Sequence, residues 1–203
     1  MSMKRFPLEQ YATLELNQVA FPKTGMVVSQ TPLGAKFVEG GSGNYGVCEN
    51  GMWVVADKSK GYLDAPAAAT DTPIGIVYTA EKEYDIMHYG LKTFGRKVAG
   101  DYPRVGIFGL GDTVTTNCLQ YDNSEDGFKA TGSGDTAKTE EENLYATLAA
   151  YATTPVYVKP VAGSPVPQLT KTKPNAGIYG KVTKFYTVPN GEKGVKYEIV
   201  SLG

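Results

Sequence analysis

The stretch that decides the fold lies near the carboxyl end. It is Ile178-Tyr179-Gly180-Lys181-Val182-Thr183-Lys184-Phe185-Tyr186-Thr187-Val188, then Pro189-Asn190-Gly191-Glu192-Lys193-Gly194, then Val195-Lys196-Tyr197-Glu198-Ile199-Val200. In the last run Val195, Tyr197 and Ile199 alternate with Lys196 and Glu198, the period of two that buries one strand face and wets the other. Between the runs, Asn190-Gly191 supplies residues that tolerate a tight reversal. The segment predicts a long antiparallel hairpin.

Working back from the hairpin, residues 155 to 176 hold Pro155, Pro160, Pro165, Pro167 and Pro174. Proline cannot donate to a strand ladder, so this region reads as an extended connector with edge-strand pieces. Before it, Thr139-Glu140-Glu141-Glu142 has the capping-box pattern, with the acids at the positive end of a helix dipole. Leu144, Leu148 and Tyr151 then share one helical face, and strand over 145 to 154 is the competing reading. The polar runs Asp122-Asn123-Ser124-Glu125-Asp126-Gly127 and Thr131-Gly132-Ser133-Gly134-Asp135 read as exposed loops.

From Gly25 the chain is punctuated by glycine. Short strands are expected at Gly25-Met26-Val27-Val28-Ser29, Lys36-Phe37-Val38 and Tyr45-Gly46-Val47-Cys48-Glu49. Asn50-Gly51 is expected to form a type I′ hairpin turn from Val47-Cys48-Glu49 into Met52-Trp53-Val54-Val55-Ala56. Further strands are expected at Ile74 to Thr79, Ile86 to Phe94, Arg104 to Phe108, Thr113 to Leu119 and Phe128 to Thr131. With 24 glycines, 12 prolines and 14 tyrosines, the composition suits a mainly β chain of short antiparallel strands, a barrel or a sandwich. The expected organisation is an extended N-terminal arm over 1–24, a β-barrel-like domain over 25–135, and a segment over 136–203 in which the helix, connector and hairpin complete or extend that domain.

The arm carries Phe6, Leu8, Tyr11, Leu14, Leu16 and Phe21 at mixed spacings. So much apolar surface must be covered, either by the chain's own domain or by a neighbouring subunit. These six are the candidate partner-contact residues.

Chemistry finds little purchase. With 20 basic and 21 acidic residues, net charge points to neither nucleic acid nor an anionic membrane. No apolar run reaches the roughly 18 residues a membrane span needs, and Met1-Ser2-Met3-Lys4-Arg5-Phe6-Pro7 leads into no signal-peptide core. The expectation is a protein made and kept in a cytoplasm, or leaving it inside an assembly. The single histidine, His88, sits among strand-like residues, and Cys48 and Cys118 are too far apart for a zinc or redox motif. Both cysteines read as buried thiols.

The other motifs fail in detail. Gly106-Ile107-Phe108-Gly109-Leu110-Gly111-Asp112 reverses the dinucleotide-loop spacing, and Gly40-Gly41-Ser42-Gly43-Asn44 misses a nucleophile elbow. The loop from Asp122 approaches a calcium loop, but its twelfth position is Ser133. Glu81, Glu83 and Asp85, mixed with Lys82, read as a solvated face. No catalytic residue, cofactor or metal is expected. Exposed tyrosines leave a carbohydrate-binding β-module as an alternative.

The segment Gly51-Met52-Trp53-Val54-Val55-Ala56-Asp57, then Gly61-Tyr62-Leu63 and Asp64-Ala65-Pro66, then Asp71-Thr72-Pro73-Ile74-Gly75-Ile76-Val77-Tyr78, resembles small β-barrel head proteins of tailed bacteriophages. Gly111-Asp112-Thr113-Val114-Thr115-Thr116-Asn117 has the same manner, and the likeness covers about residues 25 to 120. The resemblance implies a capsid decoration or auxiliary virion protein, located on the capsid surface and in the host cytoplasm during assembly. It further implies a homo-oligomer that binds the major capsid protein, often with its arm on a neighbour. A tail, baseplate or head-fibre component is the related alternative. The helix and proline-rich region beyond 139 depart from a minimal decoration domain.

Overall fold

The structure is a computed structural model that describes residues 3–8, 12–15, 19–21, 27–28, 31–57, 59–68, 70–71, 73–79, 96–134, 137–188 and 191–203. Among the described residues there are two sheets, largely antiparallel, and one short helix, and the sheets do not close into a barrel, which leaves the sandwich.

The larger sheet has seven strands: β1 (Met3–Arg5), β7 (Thr113–Thr116), β8 (Gln120–Asp122), β9 (Tyr157–Val161), β10 (Ser164–Thr170), β11 (Ile178–Thr187) and β12 (Lys193–Leu202), in the order β1-β8-β10-β9-β11-β12-β7. The smaller has five: β2 (Val27–Val28), β3 (Trp53–Asp57), β4 (Tyr62–Asp64), β5 (Ile74–Val77) and β6 (Val105–Ile107), in the order β2-β6-β5-β3-β4.

The expected hairpin is the longest pairing among the described residues. β11 runs antiparallel to β12 from Ile178 opposite Leu202 to Thr187 opposite Lys193. Val195, Tyr197 and Ile199 are fully buried or nearly so, as their alternation requires. The helix α1 (Glu140–Ala149) begins with the expected capping box: the Glu142 amide donates to Thr139 Oγ1 and the Thr139 amide to the Glu142 carboxylate. Its Leu144 and Leu148 are completely buried, and Tyr151 packs beside them.

Five expectations are corrected. The proline-rich region is no connector: β9 and β10 form an antiparallel pair inside the larger sheet. The prolines fit because the β9–β10 register breaks between Ser164 and Gln168, the interval that holds Pro165 and Pro167. Pro160 likewise lies beyond the Tyr157 and Val158 positions at which β9 pairs with β11. No donor is missed where the ladder is already broken.

Asn50-Gly51 makes no type I′ hairpin. Only Gly51 has positive φ, +94°, and the Met52 amide donates to the Glu49 carbonyl, the pattern of a type II turn. The Asn50 side chain explains the difference, since it accepts from the Thr79 amide and donates to the Thr79 carbonyl, tying this turn to the end of β5. β3 consequently pairs with β4 and β5 and not with residues 47–49.

Lys36-Phe37-Val38 forms turns and bends, and Tyr45 to Glu49 contributes one isolated bridge, Cys48 opposite Lys97. Phe128 to Thr131 likewise has only a bridge at Thr131, with Phe128 buried under a turn. The strand expected at Ile86 to Phe94 lies outside the described residues.

β7 and β8 are joined by residues 117–119 alone, yet they sit five strand steps apart in the larger sheet. A flat sheet would separate them by about 24 Å, whereas four Cα steps reach about 14 Å. The sheet must therefore curl strongly. Its concave side shares one core with the smaller sheet, in which Trp53, Phe108, Val114, Leu144, Val158, Leu169 and Tyr197 are packed together.

At the centre of that core the Trp53 Nε1–H donates to Tyr197 Oη at 2.9 Å. Tyr197→Phe should therefore leave a buried indole donor unpaired and cost about 1–3 kcal/mol, measured by urea denaturation. An unchanged midpoint would show that this bond does not couple the sheets.

Candidate functional site

The arm was the expected site, and its course follows from the open backbone of residues 113–122. β1 pairs antiparallel with β8, and the Phe6 amide donates to the Leu119 carbonyl. Further on, Leu14 bridges Thr116, the Glu15 amide donates to Thr115, and Ala20 and Thr113 exchange two bonds. One segment thus covers both ends of the curled sheet. Arg5 pins it: its Nη2 lies 2.9 Å from Glu49 Oε2, which also accepts the Ala12 amide.

This placement decides what the candidate contact residues can do. Phe6 and Leu14 are 1% and 0% exposed, inside the chain's own core. In this state the two side chains are covered by the chain's own domain, one of the two covers open to the arm. The physical reason is that satisfying the 113–122 backbone brings their side chains onto the core beneath it. Leu8 is half-buried on the smaller core cluster. Phe21 is half-buried against Tyr78, with ring centroids 5.5 Å apart, and it sits where a Cβ on Gly106 would meet it at 2.6 Å. The Gly106 glycine thus serves close packing. Tyr11 and Leu16 lie outside the described residues.

Beside the arm is an open groove of about 380 Å³, lined by Pro7 and Leu8, by Glu141 and Tyr145 of α1, and by Gly191, Glu192 and Lys193 at the hairpin end. The Tyr145 ring packs on Phe6 and Phe185, at 6.0 and 5.6 Å between centroids. Burial raises its hydroxyl well above the ordinary phenol value, helped by the hydrogen bond to Glu141. Glu192 accepts the Asn117 side-chain amide at 2.8 Å, and Lys193 donates to Thr187 Oγ1. These polar groups are engaged within the chain, an arrangement suited to docking more than to proton transfer.

The remaining candidates, where they are described, make hydrogen bonds within the chain. Asp122 accepts from the Ser124 hydroxyl and amide, which hold its carboxyl below the ordinary range. Glu125 accepts from Thr170 Oγ1 and the Lys171 amide, tying the loop to β10. Among the described residues no group of three or more His, Cys, Asp or Glu is placed to hold a metal. Asn44 donates to the Gly40 carbonyl, so the serine-containing glycine loop is a closed turn. His88, Glu81, Glu83 and Asp85 lie outside the described residues. No described helix is long and apolar enough to cross a membrane.

Sequence reading missed one group. Asp112 is fully buried at the crossing from β6 to β7, where its Oδ2 accepts the Gly109 amide and its Oδ1 has no hydrogen-bond partner among the described residues. Burial raises its carboxyl above the ordinary range, against the opposing pull of that amide. Nothing in Gly111-Asp112 distinguishes it from an exposed turn, so no local signal was available.

Two expected outcomes follow from these environments. Cys48 and Cys118 are fully buried free thiols, with burial pushing Cys118 up to about 12 and Cys48 upward as well. An aromatic disulfide reagent should label neither in the native protein at pH 8 and both in guanidinium; rapid native labelling would contradict the burial. For Asp112, a folded-state value above the unfolded one means that folding binds a proton as pH falls, so the charge penalty is present at neutral pH and relieved on acidification. Asp112→Asn should be no less stable than the parent at pH 7 and should remove the gain in stability seen as pH falls toward the ordinary carboxylate range. A variant markedly weaker at pH 7 would show the charge to be stabilising.

No family model matches the chain, and neither a curated protein nor a solved structure does.

Proposed function

We propose that this chain is a structural virion protein of a tailed bacteriophage, a homo-oligomer that decorates or stabilises the capsid by binding the assembled major-capsid lattice. The observation that carries the reading is the arm. It is held on its own sheet by backbone pairing and the Arg5–Glu49 ion pair, and it brings Pro7 and Leu8 to the edge of an open groove between α1 and the hairpin end. A partner's segment can seat there without disturbing the core. The likeness of residues 25 to 120 to phage head proteins supports the same setting.

The mechanism is mass action. A protein that binds only the assembled shell stabilises it by about 2.7 kcal/mol at 100 times its dissociation constant. The carbohydrate alternative gains nothing from the groove, because Tyr145 is already engaged by Phe6 and Phe185.

Mixed with undecorated capsids, the purified protein should co-sediment with them and raise their melting temperature. Leu8→Glu, at the half-buried groove lining, should weaken co-sedimentation while leaving the far-ultraviolet circular dichroism unchanged. Absence of capsid binding would overturn the proposal, and microscopy of labelled virions showing the protein on the tail would reassign it to a tail or baseplate role.

A further inference from the structure

The near-zero net charge conceals a segregation along the chain. Residues 112 to 150 hold eight acidic and two basic side chains, and residues 151 to 203 hold seven lysines and two glutamates. The sheet register collects much of the positive half on one surface. Tyr157 lies opposite Lys181, Lys181 opposite Glu198, and Lys184 opposite Lys196. Lys159 follows Tyr157 on the same face by the period of two. Tyr157 and Tyr179 add an edge-to-face pair with centroids 5.9 Å apart. Lys181 and Lys184 are exposed, and among the described residues none of Lys159, Lys181, Lys184 and Lys196 forms an ion pair with a carboxylate within 4.0 Å.

The negative half is concentrated elsewhere. Glu141 and Glu142 are exposed at the start of α1, and Glu141 lines the groove whose far wall is Gly191 to Lys193. That groove lies at the Thr187–Lys193 end of the hairpin, whereas Lys184 and Lys181 sit three and six residues along β11, about 10 and 20 Å away. Among the described residues neither lysine forms an ion pair with Glu141 or Glu142 of its own chain. Each can meet its complement on another.

We infer that the outer face of β9, β11 and β12 docks on the acidic start of α1 of a second copy, placing Lys181 and Lys184 against Glu141 and Glu142 beside the groove. The contact joins two different patches, so it is head-to-tail, and it builds a ring if the rotation closes. Nucleic acid fits this face less well. Glu198 interrupts the lysine row, residues 151 to 203 contain no arginine, and the two tyrosine rings stand at 80°, which offers no pair of parallel stacking platforms. The inference gives the proposed oligomer its contact and rests on that reading only for its setting. Self-association is measured without capsids, so its failure and the failure of capsid binding are separate results.

Sedimentation velocity of the full chain should show concentration-dependent association at about 50 mM salt, weakened about tenfold or more at about 0.5 M. Lys181→Glu with Lys184→Glu should abolish it, as should Glu141→Lys, which leaves the Thr139–Glu142 cap intact, and mixing the two reversed proteins should restore it. Should a reversed chain fold poorly, carbodiimide coupling of the unaltered protein, mixed as light and nitrogen-15 forms, should yield intermolecular bonds from Lys181 or Lys184 to Glu141 or Glu142. A monomer at every concentration, association indifferent to the lysine reversal, or a face that binds a single-stranded oligonucleotide without self-association would each overturn the inference.

Discussion

The hydrogen bond from Trp53 to Tyr197 is the constraint on which the two sheets depend. It joins β3 of the smaller sheet to β12 of the larger, with both side chains fully buried and the indole also edge-on to Phe108 at 5.0 Å. Made, such a bond contributes about 1 kcal/mol; left unmade, it strands a polar group in the core at a larger cost. Its greater effect is on register. A one-residue slip of β12 would carry Tyr197 to the outer face and bring Lys196 or Glu198 inward. Room for the ring comes from the neighbouring strand, where a Cβ on Gly180 would lie 2.8 Å from Tyr197 Cδ2. Irregularities in the β11–β12 ladder fall on either side of this point, between Tyr179 and Gly180 and between Val182 and Lys184. The ladder gives way so that the core contact can be kept.

With register fixed, the outer face of the hairpin is fixed too, and with it the lysine row. This is the route from core packing to surface chemistry: burying Val195, Tyr197 and Ile199 obliges Lys196 and Glu198 to face out. The same logic governs the arm. Because residues 113–122 supply strands at both ends of the curled sheet, their unpaired backbone groups need a cover, and Met3 to Phe6, Leu14, Glu15 and Ala20 provide it. The arm is thus part of the fold before it is part of any contact.

Legibility tracked how local each signal was. The hairpin and the helix cap were readable because alternation and the Thr139–Glu142 pair act over a few residues. The central position of β9 and β10 was not. Pro160, Pro165 and Pro167 look like ladder breakers, and only the long-range register reveals that they occupy places where the ladder is already broken. Asn50-Gly51 misled for a related reason, since the Asn50 side chain is committed to Thr79, 29 residues away. For the site, the arm's apolar content was visible but not its destination. The separation of charge was hidden by a net value near zero, because a sum discards position.

The treatment of strand edges limits how this protein can associate. At β4, both backbone groups of Leu63 are already taken, its amide donating to Pro32 and its carbonyl accepting from Gly34. The β8 edge is covered by β1, which is itself only three residues long and carries Lys4 and Arg5, both unfavourable features for a further strand. Where backbone is not on offer, recognition has to use side chains. The described surface offers exposed lysines on one face and glutamates beside a groove on another. Contacts of that kind are weak singly, screened by salt and additive only when many are repeated in register. A lattice would supply that repetition, which is why the proposed role sets this surface against an ordered array and not against one isolated partner.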